Sequence, residues 1–161
     1  MAVTSSGTAV VTLPTDTQIL IRREFDAPKH LVWKAYTTPE LVARWWSGER
    51  AKVTSAEIDL RVGGTWRYVA TANGGFEVAF HGEYREVSAP DRLVNTEIFE
   101  GAPEGVGMVT TTFTEAGGRT TMTQLCEYGD RAVRDMVIDS GMEGGMQESL
   151  DQLEQVAVSL T

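Results

Sequence analysis

The chain has 161 residues, a hydrophobic fraction of 42% and a formal net charge of −9. This length suits one domain with a substantial core. The acidic balance argues against nucleic acid or an anionic membrane surface as the main partner, because such binding requires clustered Lys and Arg. Cys126 is the single cysteine, so no intrachain disulfide can form, and we expect a cytoplasmic protein.

The N-terminal segment, residues 1–16, lacks the positive start and the long apolar run of a signal peptide. We interpret it as a polar tail that at most pairs late as an edge strand. No stretch approaches the roughly 18 consecutive apolar residues that a membrane-spanning helix requires. Residues 17–161 contain no internal repeat and no linker, so they are predicted to form a single domain.

A strand and two short helices open this domain. Apolar and polar residues alternate over residues 19–25, which predicts a strand with one buried face. Pro28 and Pro39 each suit the first position of a helix, and Asp26 and Thr38 are expected to cap the two helices. Helices this short are not stable alone, so they must pack on a larger element.

Strand patterns and turns then follow without intervening helices. Strands are predicted over residues 51–60, 65–72, 76–87, 92–99, 108–115 and 119–128. The turns between them include Asn73-Gly74-Gly75, a strong hairpin signal. Short connections of this kind join antiparallel neighbours, so we expect one antiparallel sheet.

A long amphipathic helix ends the chain. Apolar residues recur at steps of three and four from Met142 to Leu160, which predicts a helix over about residues 140–160, preceded by a helical turn or two over 131–138. Gly141, Gly144 and Gly145 lie near its start. Either this first turn is loosely packed, or the missing side chains leave room for a ligand or a close backbone. The order of elements predicts an α+β fold in which a sheet grips a helix and encloses a space.

Four blocks of sequence carry a family resemblance: FDAPKHLVWKAYTTPELVARWW at 25–46, DLRVGGTWRY at 59–68, GEYREVSAPDRLVNT at 82–96 and GMEGGMQESLDQL at 141–153. In these blocks the chain resembles bacterial homologues of the activator of heat shock protein 90 ATPase, within the START-like, helix-grip superfamily. The resemblance implies a curved antiparallel sheet of about six or seven strands, two short helices after the first strand and a long C-terminal helix. It also implies an apolar cavity between sheet and helix, in a superfamily that includes lipid carriers and cyclases.

The first functional hypothesis is a binding protein that holds a small apolar or amphipathic molecule in this cavity. The candidate ligand-binding residues are Trp46, Trp66, Tyr68, Phe80, Phe113, Met142 and Met146. Ordinary core packing is the alternative interpretation of the same residues. Tyr68 would bring a hydroxyl group that needs a partner when it is buried.

The second hypothesis is a cyclase- or hydrolase-like enzyme that uses the same cavity. It would need an inward-facing acid or base, and His81, Glu57, Glu97 and Tyr68 are the candidates, among which no spacing selects. The third hypothesis is a stress-related co-chaperone of heat shock protein 90. No histidine and cysteine have metal-ligand spacing, so neither a metal nor a cofactor is predicted. A homodimer is plausible through an edge strand or through the tryptophan-bearing helix.

Overall fold

A computed structural model describes residues 8–161 of the chain. These residues form eight strands and four helices. The strands are β1 Val10–Thr12, β2 Gln18–Phe25, β3 Ala51–Ile58, β4 Thr65–Ala72, β5 Glu77–Ser88, β6 Arg92–Phe99, β7 Gly107–Ala116 and β8 Arg119–Tyr128. The helices are α1 Lys29–Thr37, α2 Pro39–Trp45, α3 Arg131–Asp139 and α4 Met142–Ser159.

All eight strands belong to one antiparallel sheet with the order β1-β2-β8-β7-β6-β5-β4-β3. The expected count of six or seven strands was too low, because β1 is a further strand at the edge. In β1, Val11 pairs with Ile21 of β2 and is 1% exposed. Three residues are too few to show a period in the sequence, so β1 gives no strand signal. The predicted N-terminal tail therefore includes this strand, and its residues 1–7 lie outside the described part of the chain.

One face of the sheet, here called the inner face, packs against the helices. Buried apolar side chains of β2, β7 and β8, such as Phe25, Phe113 and Met122, form a single core with Leu150 and Leu153 of α4. Because neighbouring side chains alternate between the two faces of a strand, the intervening residues point outward. The core therefore lies between the inner face and the helical layer.

The starts of the two short helices agree only in part with the prediction. Pro39 is the first residue of α2 and Thr38 is its N-cap residue, as expected, whereas Pro28 is the N-cap residue of α1 and not its first residue. Neither N-cap side chain forms a cap hydrogen bond, and the backbone N–H of Lys29 donates to Glu115 at 2.6 Å. Asp26 instead forms an ion pair with Arg119 at 3.4 Å.

Helix α4 is attached to the β1–β2 edge by buried polar contacts. The Gln147 side chain accepts from the backbone N–H of Ala9 at 3.0 Å and donates to the Ala9 carbonyl at 2.8 Å. Arg23 of β2, which is 3% exposed, donates to Asp151 at 2.7 Å and lies 3.4 Å from Glu154. These contacts fix one flank of the helix.

The opposite flank of α4 is attached to the connection between α2 and β3. Ser149 donates to the Trp46 carbonyl at 2.6 Å, and Arg50 donates to Glu148 at 2.8 Å. A side chain at Gly144 would place its Cβ 2.7 Å from Nη2 of Arg50. Glycine at this position therefore leaves room for a neighbouring guanidinium group.

None of the helices in residues 8–161 is both long enough and apolar enough to cross a membrane.

Candidate functional site

An aromatic cluster covers the β4–β5 part of the inner face. Trp46, directly after α2, lies with its ring centroid 5.4 Å from Tyr68 of β4 and 5.4 Å from Phe80 of β5. Trp66 extends the cluster along β4, with its ring 4.8 Å from Tyr68. The structure therefore brings together four of the seven predicted ligand-binding residues. Trp46 and Phe80 remain half-buried, whereas Trp66 and Tyr68 are buried.

A glycine allows the Trp66 ring to lie close to the sheet. Gly82 of β5 pairs with Trp66, and a Cβ at Gly82 would lie 2.6 Å from the indole nitrogen and 1.8 Å from the Thr96 carbonyl oxygen. The indole N–H donates to that carbonyl at 3.2 Å. Any larger residue at position 82 would displace the indole or separate the strands.

Phe113 lies in a different cluster, beneath α1. Its ring packs edge-on against Trp33 at 6.1 Å and Tyr36 at 5.8 Å. Trp45 stacks on Tyr36 at 5.4 Å and donates to the Ala35 carbonyl, so it faces away from the cluster of Trp46. The structure thus separates Phe113 from the other predicted aromatic residues.

Met142 and Met146 occupy the first two turns of α4. Both side chains are half-buried and pack against the core. Methionine adapts to irregular surfaces, so these turns provide a deformable edge to the helix. Gly145 lies between them in sequence, and a Cβ there would meet no atom within 4 Å.

Glu97 places a carboxyl group on the inner face of β6. It pairs with Gly107 of β7, two residues before the core residue Val109. Gly107 is covered by a ring, since a Cβ there would lie 2.9 Å from Cε1 of Tyr128. Glu97 thus lies deep among protein atoms, although part of its side chain keeps accessible surface.

Glu97 and Tyr68 have no hydrogen-bond or ionic partner among residues 8–161. Within the same residues, every fully enclosed side-chain nitrogen or oxygen atom has a hydrogen-bond partner. The polar atoms of Glu97 and Tyr68 are therefore not fully enclosed. These atoms therefore keep some accessible surface, although both residues lie largely inside the fold. The space that this accessible surface borders is here called the gap.

Burial is the main cause of the raised pKa values in this region. Loss of solvation raises the pKa of Glu97 from 4.5 to about 7 and the pKa of Tyr68 well above 10. Burial also raises the pKa values of Tyr36, Cys126 and Tyr128, and the charge of the nearby Glu97 raises them further. The carboxyl group therefore changes its charge near neutral pH while the groups around it stay neutral.

A short polar chain continues across the inner face from this region. Gln124 of β8 donates to the Tyr36 hydroxyl at 2.6 Å and to the Thr111 hydroxyl at 3.2 Å. The sequence reasoning did not single out Tyr36 or Gln124. Gln124 occupies the alternating position between two buried residues, Met122 and Cys126, so strand alternation was the signal that could have identified it.

The other predicted acid–base candidates lie on the outer face. Glu57 is exposed, and His81 hydrogen bonds to Glu100 at 2.9 Å. Glu100 also accepts two bonds from Arg67, and the bonds from Arg67 and His81 lower its pKa to about 2. Only Glu97 and Tyr68, of the four candidates, are positioned to act in the interior.

Two open clefts lie away from this interior. One, of about 330 Å³, is beside Arg67, Val69 and Glu100 at the outer side of β4–β6. The other, of about 220 Å³, is between α2 and β3. The gap at Glu97 is separate from both. Among the described residues, no group of His, Cys, Asp and Glu is arranged to hold a metal ion.

Solved structures of proteins from several bacteria have the same fold. A protein from Rhodobacter sphaeroides superposes with a TM-score of 0.86 and 25% identity, over 92% of this chain and 97% of that chain. A solution structure from Arthrobacter aurescens gives 0.83 and 27%, over 92% and 91%. Protein Ms6760 from Mycobacterium smegmatis gives 0.82 and 27%, over 96% of both chains.

No curated protein is similar enough to this chain in sequence to count as a match. The model of the family described as "Activator of Hsp90 ATPase homolog 1-like protein" matches residues 26–157. This range extends from the residues before α1 into the last turn of α4, and so includes strands β3 to β8 and both clusters of aromatic residues. The chain belongs to this family, within the START-like, helix-grip superfamily.

Proposed function

We propose that this protein binds a small apolar or amphipathic molecule between the inner face of the sheet and α4. The observation that carries the proposal is the gap bordered by Glu97 and Tyr68, two polar groups without a partner among residues 8–161. A core that served stability alone would place apolar side chains there, since an unpaired buried polar group costs free energy. Polar groups on an otherwise apolar wall are typical of ligand sites.

The apolar side chains on this part of the inner face suit an apolar ligand. Trp46, directly after α2, contacts Phe80 of β5, and Met142 and Met146 are the adaptable residues of α4. All four keep accessible surface. A molecule that covered them would gain about 25 cal/mol for each Å² of apolar surface removed from water.

A thermal-shift screen tests the proposal. The panel contains medium-chain fatty acids and alkanols, aromatic polyketides and indoles. A ligand present at about 100 times its Kd stabilises the folded state by about 2.7 kcal/mol, which corresponds to a rise in Tm of roughly 5 °C or more.

Two phenylalanine variants provide the matched control. Phe80→Ala should weaken binding of the best compound by about tenfold, which is 1.4 kcal/mol of contact. Phe76→Ala, whose side chain is 63% exposed, should leave binding unchanged. The absence of a shift with every compound, or equal effects of the two variants, would contradict the proposal.

A cyclase- or hydrolase-like reaction in the same gap is a second candidate function. Glu97 favours it, because a carboxyl group that titrates near neutral pH can exchange a proton with a bound molecule. No other titratable side chain among residues 8–161 hydrogen bonds to Glu97, and Tyr68 is one of four groups whose pKa the charge of Glu97 raises. Turnover of a compound found in the screen, abolished by Glu97→Gln, would support this reaction.

A co-chaperone role is a third candidate, favoured by the description of the family. The isolated chain would then stimulate ATP hydrolysis by a bacterial heat shock protein 90. A rate that does not change across a titration to stoichiometric excess would contradict this role.

A further inference from the structure

We propose that the ligand carries a protonated nitrogen and that Glu97 binds this nitrogen as a carboxylate. This inference rests on the proposed binding function and specifies the chemical class of the ligand. It starts from the position of Glu97, which is an inner-face carboxyl group beside a gap, without a hydrogen-bond donor among residues 8–161.

A buried carboxylate needs hydrogen-bond donors. An ionised carboxyl group only accepts hydrogen bonds, and its two oxygens have room for about four. A buried carboxylate without donors is strongly unfavourable, whereas a charge-assisted bond to an N⁺–H group is among the strongest that proteins form. A ligand with a cationic nitrogen would therefore gain more from Glu97 than a neutral or anionic ligand.

The titratable groups around Glu97 carry no positive charge. Four titratable groups lie close enough to Glu97 for its charge to raise their pKa values, and these are Tyr36 of α1, Tyr68 of β4, and Cys126 and Tyr128 of β8. All four are neutral at physiological pH. Burial alone accounts for the raised pKa of Glu97, and no neighbouring cation contributes to it. The gap therefore has a negative group and no resident positive group among the described residues.

The aromatic rings near Glu97 also favour a cationic ligand. Tyr68 lies near Glu97, and its ring contacts Trp46 at 5.4 Å. The faces of indole and phenol rings attract cations, by about 0.5–2 kcal/mol for each contact. Carboxylate and rings therefore favour the same kind of ligand, an apolar amine.

Three indoles with the same two-carbon arm test the inference. Tryptamine ends in an ammonium group, tryptophol in a hydroxyl group and indole-3-propionate in a carboxylate. Calorimetric titration at about pH 8, where Glu97 is ionised, should give tryptamine a Kd at least about tenfold below that of tryptophol. Indole-3-propionate should bind most weakly, because its charge repels that of Glu97.

Glu97→Gln keeps the shape of the side chain and removes its charge. In this variant, tryptamine and tryptophol should bind within about threefold of each other, while tryptophol keeps its wild-type Kd. Glu57→Gln removes an exposed outer-face carboxyl group and should leave the preference unchanged. A preference for tryptamine that persists in Glu97→Gln would overturn the inference.

A second measurement does not depend on a variant. Carbon-detected NMR of the Glu97 carboxyl group should show its titration midpoint fall by about one pH unit or more when tryptamine is saturating. An unchanged midpoint would overturn the inference. Tryptamine that fails to bind also overturns it; binding of either other indole would then leave the proposed function standing, and no binding by any of the three would count against both.

Discussion

At the scale of single residues, Glu97 occupies a strand position that an apolar side chain would fill at lower cost in folding free energy. Its neighbours on the inner face include Val109 and Cys126, which are both buried. A carboxyl group among such residues lowers stability whenever it is charged. Residues that break the packing rules of their surroundings are frequently those that a binding site needs.

Glu97 should make stability fall as pH rises. Its pKa is 4.5 in the unfolded chain and about 7 in the folded protein, so between these values the folded state holds a proton that the unfolded state has lost. The stabilising contribution is therefore complete below pH 4.5, and up to about 3 kcal/mol is lost as pH rises through 7. Urea unfolding of wild type and Glu97→Gln across this range should show the variant gaining relative stability with pH.

The Glu57→Gln variant is the control for this series, because it removes an exposed carboxyl group from the outer face. Parallel stability curves for wild type and Glu97→Gln would show that the carboxyl group titrates normally in the folded protein.

The sequence predicted only part of this site. The hydroxyl group of Tyr68 was expected to need a partner, and the structure leaves it without one among residues 8–161. Glu97 could not be separated from Glu57, because both are acidic residues within predicted strands and the sequence does not show which face of each strand packs against the helices. That face depends on pairing between strands and on packing of the helices, which a local pattern does not contain.

At the scale of elements, the attachment of α4 depends on a few buried polar groups. Arg23 contacts Asp151 and Glu154 of α4, and its guanidinium group lies 4.7 Å from the centre of the Phe25 ring. A buried cation with two carboxylate partners fixes the orientation of the helix more narrowly than apolar contacts alone.

Arg23→Ala should lower the free energy of unfolding by roughly 2 kcal/mol, because it removes a buried cation and its packing. Asp151 is about half exposed, so its carboxylate can return to water, which limits the loss. Arg22→Ala is the matched control, since the neighbouring Arg22 is exposed and pairs with Glu24 at 3.5 Å. That variant should change stability by less than about 0.5 kcal/mol. Equal losses in urea unfolding would contradict this assignment.

Element bounds were predictable where the signal is local. The strand predicted over residues 65–72 coincides with β4, and that over 92–99 coincides with β6. Both lie next to turns marked by glycine or proline. Thr38 is the N-cap residue of α2 as expected, but its side chain forms no cap hydrogen bond. The expected cap at Asp26 was wrong, because Asp26 pairs instead with Arg119, which is close only in the folded chain.

At the scale of the whole molecule, the N-terminal strand completes the sheet. Residues Ala9 and Val11 are buried under α4, and the Ala9 backbone is bonded by Gln147 of that helix. The first and last elements of the described chain therefore depend on each other. The overall order of strands, short helices and long helix was predictable from turns and periodicity, but this contact between distant residues was not.

Val11→Ala should lower the free energy of unfolding by about 1–2 kcal/mol, because it leaves a cavity in the core. Val10→Ala is its matched control, since Val10 is adjacent, points outward and is 43% exposed. The control should change stability by less than about 0.5 kcal/mol. If chemical denaturation finds the two variants equally stable, β1 is not part of the cooperative fold.

The bonds along both flanks of α4 also bear on how the proposed ligand would reach the interior. Gln147 and Asp151 form bonds on one side of the helix, and Glu148 and Ser149 form bonds on the other, so movement of the helix away from the sheet would break bonds on both sides. We therefore expect the proposed ligand to enter past the methionine-bearing first turns of α4. The backbone amide hydrogens of the later turns should therefore exchange with deuterium only during global unfolding, whether the interior is occupied or vacant.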